Sequence, residues 1–105
     1  GAIIAVGTFN SRADGSSTTT YADLTKSYFD DAWDDPDDLG FTCCHDALPD
    51  NEDSDLRSAI DFVFTHAAVR ALTADVIGDM RIPSQATPPF WPSDHAGVVA
   101  TVRIH

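Results

Sequence analysis

One carboxylate in this chain sits where a carboxylate is expensive. Residues Ala59-Ile60-Asp61-Phe62-Val63-Phe64 form a short apolar run of strand length, rich in β-branched and aromatic side chains. Burying an unpaired carboxylate there costs on the order of several kcal/mol. Any fold adopted by the chain must therefore bring a partner to Asp61 from elsewhere. The partner expected is His95, carried by Phe90-Trp91-Pro92-Ser93-Asp94-His95-Ala96-Gly97-Val98-Val99-Ala100. Val98–Val102 is short, β-branched and bounded by Gly97, and reads as a buried strand. Asp94 and His95 then lie on the loop entering it, where polar groups can face a cleft while a sheet holds their backbone. A carboxylate bonded to one imidazole nitrogen fixes the tautomer and leaves the other nitrogen to donate to an anion or handle a proton. Taken alone, an Asp-His dipeptide on a loop is structural in most proteins; an acid in an apolar strand together with a strand-entry histidine brings a functional dyad level with that reading.

The remaining elements follow from local pattern. Ala2–Val6 is a continuous apolar run, expected as a strand covered on both faces. Ser11–Thr20 is a Gly/Ser/Thr/Asp loop, and Thr20-Tyr21-Ala22-Asp23-Leu24 has a capping residue with an acid three positions on, predicting a short helix to about Lys26. Tyr28, Phe29, Ala32 and Trp33 supply apolar anchors for it. Asp30–Asp38 holds six aspartates but lacks the central glycine and terminal Glu of a calcium loop, so it reads as a solvated acidic loop. Phe41–Cys44 is a short strand, Ala47–Asp55 a polar loop, Ala68–Ile77 a further strand or pair of strands, and Gly78–Pro92 a Pro-rich extended segment. Phe90 and Trp91 read as core lids. Cys43, Cys44 and His45 are consecutive and no Cys-x-x-Cys spacing occurs, which argues against a zinc site built from them and His66. Neighbours in a strand point to opposite faces, so a bridge between Cys43 and Cys44 is expected to be strained.

The 105 residues allow one domain at most, with 43% apolar residues for a small core. A formal net charge of -11 disfavours sequence-independent nucleic-acid binding, whose affinity comes from Lys and Arg neutralising phosphates. Divalent ions could still reverse the field in an acidic cleft. No apolar run reaches membrane-spanning length, and Gly1-Ala2-Ile3-Ile4 lacks the basic flank and cleavage site of a signal peptide, so the compartment stays open.

Three segments, in order, resemble one family. Trp91-Pro92-Ser93-Asp94-His95-Ala96-Gly97-Val98-Val99-Ala100 resembles the closing motif of the endonuclease/exonuclease/phosphatase superfamily of DNase I-like phosphoester hydrolases. Ala2-Ile3-Ile4-Ala5-Val6-Gly7-Thr8-Phe9-Asn10-Ser11 resembles that family's strand ending in Gly-Asp-Phe-Asn-Ser, and Ile60-Asp61-Phe62-Val63-Phe64 its Arg-Ile-Asp-Tyr-Val-Phe strand. The match spans most of the chain but only the C-terminal part of such a domain. The resemblance implies an α+β fold, the C-terminal half of a four-layer α/β sandwich, with mostly antiparallel sheet and one or two short helices. It implies a Mg²⁺- or Mn²⁺-dependent attack of water on a phosphoester substrate, with Asp61 and His95 at the scissile phosphate. Asp94 would support the metal directly or through water, and Asn10 would contact the phosphate.

Departures from the family matter equally. Thr8 stands where the family has Asp, and threonine cannot serve as a general base near neutral pH. Ala59 replaces the usual Arg before Ile-Asp, with Arg57 a partial substitute. The family's metal-binding Glu belongs to the N-terminal half, which these residues do not match. Weak or absent activity is therefore expected from this chain alone. Two other readings remain: a non-catalytic binding or structural module that kept the fold, and half of a split or homo-oligomeric enzyme whose exposed sheet face another chain covers.

Overall fold

A computed structural model describes residues 1–35, 37–45, 56–79 and 93–105. The loop expected over Ala47–Asp55, the Pro-rich segment from residue 80 onward and the Phe90–Trp91 lid lie outside these residues. Five strands and one helix are present: β1 (Ile3–Thr8), α1 (Thr20–Thr25), β2 (Asp30–Asp31), β3 (Asp61–His66), β4 (Val69–Ile77) and β5 (Gly97–Ile104). Every strand pairing among them is antiparallel. Mostly antiparallel strands with one short helix are consistent with the α+β class that the resemblance implied.

β3 is the central strand of a sheet ordered β1-β3-β2. Its register with β1 runs from Ile3 opposite His66 to Thr8 opposite Asp61. Successive side chains of a strand alternate between faces, so Phe62 and Phe64 share one face. With Ala59 they form the buried core, against which Ala5, Phe9, Ala13, Tyr21, Leu24 and Phe29 pack. Phe64 is 0% exposed, and its ring meets Phe9 edge-on at 4.9 Å between centroids. Val63 and Thr65, on the opposite face, are buried too. Burial on both faces explains why this stretch is apolar without alternation.

The short helix lies over the aromatic face through Tyr21 and Leu24. Its first turn is satisfied from a distance: the backbone N–H of Tyr21 donates to Oγ of buried Ser11 at 3.0 Å, and the Thr18 hydroxyl donates to the same oxygen at 2.7 Å. The N-cap position is Thr19 rather than Thr20, and its hydroxyl donates to Asp23 at 3.1 Å. Local pattern located the helix; the loop that folds back supplies the cap.

β4 and β5 form a separate two-stranded sheet, with a register shift that leaves Leu72 between the Ala71–Val102 and Thr73–Thr101 pairs. Two expectations of burial fail. β1 is exposed along nearly its whole length, with Val6 67% exposed, because among the described residues it pairs only with β3 and forms an edge. In β5, Val98, Ala100 and Val102 are half-buried, while Val99, Thr101 and Arg103 face outward. An apolar run signals a strand, but whether a second layer covers it is a non-local matter. A third correction concerns the acidic stretch: Asp30 and Asp31 are not loop but β2, paired with Thr65 and Phe64. Among the described residues no helix is long and apolar enough to cross a membrane.

Candidate functional site

The site is built on a spine that sequence reading left as an ordinary short strand. Residues 42–45 are extended but make only isolated bridges, with Cys43 opposite Ser58 on one side and opposite His95 on the other. Toward Ser58, the N–H groups of Thr42 and Cys43 donate to Ser58 O at 3.0 and 2.9 Å, and Ser58 N–H donates to Cys43 O at 2.8 Å. Toward the C-terminal motif, His45 N–H donates to Asp94 O and Ala96 N–H donates to Thr42 O, each at 2.8 Å. These two bonds straddle His95 and fix where its side chain emerges. The buried Thr42 hydroxyl oxygen also accepts the N–H groups of Ile60 and Asp61, at 3.3 and 3.2 Å. One spine therefore holds both members of the expected pair.

The pair forms. Asp61 Oδ2 and His95 Nδ1 are 2.9 Å apart, with the carboxylate side chain 14% and the imidazole 32% exposed. The second carboxylate oxygen accepts a hydrogen bond from the Thr8 hydroxyl, which the β1–β3 register places directly opposite. Both oxygens of the costly carboxylate are thus satisfied, which is what an acid at this depth needs. Thr8 had registered in the sequence only as a departure from a catalytic acid. Here it orients Asp61. Beside the pair, a cleft of about 350 Å³ runs between Thr8, Asp61 and Val63 on one wall and Ala96 and Val98 on the other.

The other expected residues are less engaged. Asn10 follows β1 in a left-handed conformation, φ 53°, which asparagine adopts more readily than most residues. It is exposed, and no hydrogen bond among the described residues joins its amide to Asp61 or His95. Asp94 is exposed as well; among the described residues its carboxylate accepts the Ser93 hydroxyl, at 3.3 Å. Arg57 is exposed and makes no ion pair with Asp61 among the described residues. Ala59 is buried against Phe62 and Phe64, a place that a guanidinium could not take without repacking the core.

Sulfur chemistry is the feature that sequence reading missed. Cys43 and Cys44 are joined as a disulfide. The expectation of opposed side chains rested on regular strand alternation, and these residues make only isolated bridges instead. His95 Nε2, the nitrogen not used by Asp61, lies 3.6 Å from Cys43 Sγ. Cys43, Cys44 and His95 are the one group of three close metal-donor side chains among the described residues. His66 takes no part: it is at the far end of β3, stacked on Tyr28 at 3.7 Å between ring centroids. Thiolate and imidazole donors suit soft cations, whereas Mg²⁺ and Mn²⁺ prefer oxygen. For a hard cation the site offers Asp94, which matches only the sparse mode in which one carboxylate, waters and substrate phosphate share the ion.

Comparison with family models, with curated proteins and with solved structures finds no match to this chain.

Proposed function

We propose that this chain is the C-terminal part of a DNase I-like domain and that its site handles a phosphoester, as a metal-dependent hydrolase of the endonuclease/exonuclease/phosphatase type. The observation that carries the reading is the 2.9 Å bond between Asp61 Oδ2 and His95 Nδ1, formed between the two segments that resemble the family's phosphate-binding motifs. With Nδ1–H given to the carboxylate, Nε2 is the nitrogen left to contact a phosphoryl oxygen or pass it a proton. Asn10, just beyond the end of β1, would offer an uncharged amide to phosphate or water. Asp94 would hold Mg²⁺ or Mn²⁺, which when bound supplies positive charge against the phosphoryl oxygens. Thr8 donates its hydroxyl to Asp61 and supplies no base, so turnover is slow.

The test has two arms. Hydrolysis of bis-nitrophenyl phosphate is measured with and without Mg²⁺ or Mn²⁺, and the His95 ring resonances are followed by NMR during titration with inorganic phosphate. Slow metal-dependent turnover that His95→Ala abolishes, together with phosphate-dependent His95 shifts, is expected. No shift and no turnover would reject the reading.

Buried Ala59 and the Thr8 hydroxyl bonded to Asp61 favour a second reading, a module that retains the fold without the reaction. Calorimetry with Mn²⁺ separates the two: a hydrolase takes up the ion with measurable heat, whereas the module shows only weak surface association.

A further inference from the structure

We propose that Cys43, Cys44 and His95 form a binding site for a soft divalent cation of the Zn²⁺ type, and that the site opens when the Cys43–Cys44 disulfide is reduced. The proposal does not depend on phosphoester chemistry at the same histidine. One donor atom from each of the three residues lies within 4.8 Å of the others. Typical Zn–S and Zn–N bonds of about 2.3 and 2.05 Å at a tetrahedral angle put sulfur and nitrogen about 3.6 Å apart. Cys43 Sγ and His95 Nε2 are 3.6 Å apart. That spacing already suits two donors on one ion.

The surroundings agree. Metal-binding histidines generally give their other ring nitrogen to a carboxylate, which fixes the tautomer and aims the ligating lone pair. Asp61 does this for His95 through Nδ1, at 2.9 Å. Position is set before any ion arrives, because Cys43 is bridged through its backbone to Ser58 and to His95. Cys43 is 1% exposed, while Cys44 and His95 are half-buried, so the group is partly open to an ion and water. Asp94, an oxygen-bearing candidate, is outside this group. The donor set of two thiolates and one imidazole leaves a fourth tetrahedral position for water.

Access is gated by sulfur oxidation. In the disulfide both sulfurs are neutral and neither is a thiolate ligand. A dithiol reductant supplies two electrons and two protons, closing to its own disulfide as the Cys43–Cys44 bond breaks into two thiols. Binding the cation then forms two metal–sulfur bonds and one metal–nitrogen bond and releases two thiol protons. The Cys44 sulfur moves away from its neighbour to the roughly 3.8 Å expected of two sulfurs sharing a tetrahedral ion. Occupied in this way, His95 Nε2 is no longer available to a phosphate.

Co²⁺ is the probe, because cobalt bound by thiolates absorbs in the near ultraviolet and, when tetrahedral, strongly in the visible. The protein is reduced with a water-soluble phosphine, freed of it without air, checked for two free thiols and titrated with Co²⁺. One equivalent should develop both bands, an excess of Zn²⁺ should bleach them, and oxidised protein should show neither. Cys44→Ser should lose about half of the sulfur-to-metal intensity, and His95→Ala should weaken binding at least tenfold. Asp61→Asn should weaken it about 10- to 100-fold as the supporting carboxylate is lost. Circular dichroism of each variant separates loss of ligand from loss of fold, and Cys44→Ser, at the more accessible sulfur, is the variant least exposed to that ambiguity. Failure to release two thiols, absence of the bands in the reduced protein, or full cobalt binding by folded His95→Ala would each overturn the proposal.

Discussion

The Tyr21 hydroxyl, on α1, donates to Asp31 Oδ2 on β2 at 2.8 Å, and the Trp33 N–H donates to the other oxygen at 3.0 Å. The contact closes the helix onto the far edge of the β1-β3-β2 sheet and places a carboxylate beside a phenol in partly dry surroundings. Burial pushes the Asp31 carboxyl above its ordinary range, and the negative charge of Asp34 adds to this; the two donors only partly offset it. Burial, then the hydrogen bond to Asp31 and its charge, push the Tyr21 phenol above its ordinary value of 10.0.

Both groups are raised in the folded state, so both favour folding in their protonated forms. The Asp31 contribution is complete below the ordinary carboxyl value of 3.8 and is lost as pH rises through its elevated folded value. The Tyr21 contribution is complete below about pH 10 and is lost as pH climbs further. Urea denaturation across pH should therefore show an alkaline fall in stability that Tyr21→Phe flattens. Asp31→Asn, which keeps an acceptor for Tyr21, should flatten the acidic portion. An unchanged alkaline limb in Tyr21→Phe would mean that the phenol is not the group responsible.

Asp61 and His95 should couple energetically. A double-mutant cycle of Asp61→Asn, His95→Ala and the double variant, read by urea denaturation, is expected to give an interaction of about 0.5–3 kcal/mol, the range for residues in one hydrogen-bonded network. Additive effects would show that the 2.9 Å contact contributes nothing to the folded state.

Thr8 carries a sharper test. Thr8→Val deletes the donor to Asp61 Oδ1 and should cost about 0.5–1.5 kcal/mol, the net worth of one hydrogen bond at an exposed position. Thr8→Asp sets one carboxylate against another across the β1–β3 register. Like charges at that distance force one group to take a proton. The variant should melt below the native protein at neutral pH and recover on mild acidification. Recovery in millimolar Mg²⁺ would show that the restored acid, with Asp61 or Asp94, completes a hard-cation site.

Gly40 should tolerate no side chain. Its φ is 64°, and a Cβ there would lie 2.7 Å from the Trp33 indole, whose Nε1–H donates to Asp38 O at 2.7 Å. Gly40→Ala is expected to cost about 1–3 kcal/mol through overpacking and to shift the Trp33 fluorescence.

Much of this architecture was legible because the relevant signals are local. β-branched and aromatic runs located β1, β3, β4 and β5 to within a few residues, and the acid inside Ile60–Phe64 announced that a partner must exist. His95 was matched to it on its place at the mouth of an apolar strand together with the family resemblance, which pairs an acid and a histidine at the phosphate. Thr8 was legible only as the loss of an acid; the register with β3 adds that its hydroxyl meets Asp61. The disulfide and its closeness to His95 could not be read from two adjacent cysteines, because residues 43 and 95 meet through a bridge between distant segments.

Taken alone, the amino-acid order determined which stretches extend, roughly where the short helix lies and which acid could not remain alone, because backbone propensity and the cost of a dry charge act on a few neighbouring residues. Tertiary structure decided the rest: that β1 is an exposed edge while β3 is covered on both sides, that Thr42–His45 ties Ser58 to His95, and that two sulfurs and an imidazole share one corner. Those outcomes depend on burial and backbone pairing between segments far apart in the chain, and no local pattern encodes which distant segment arrives.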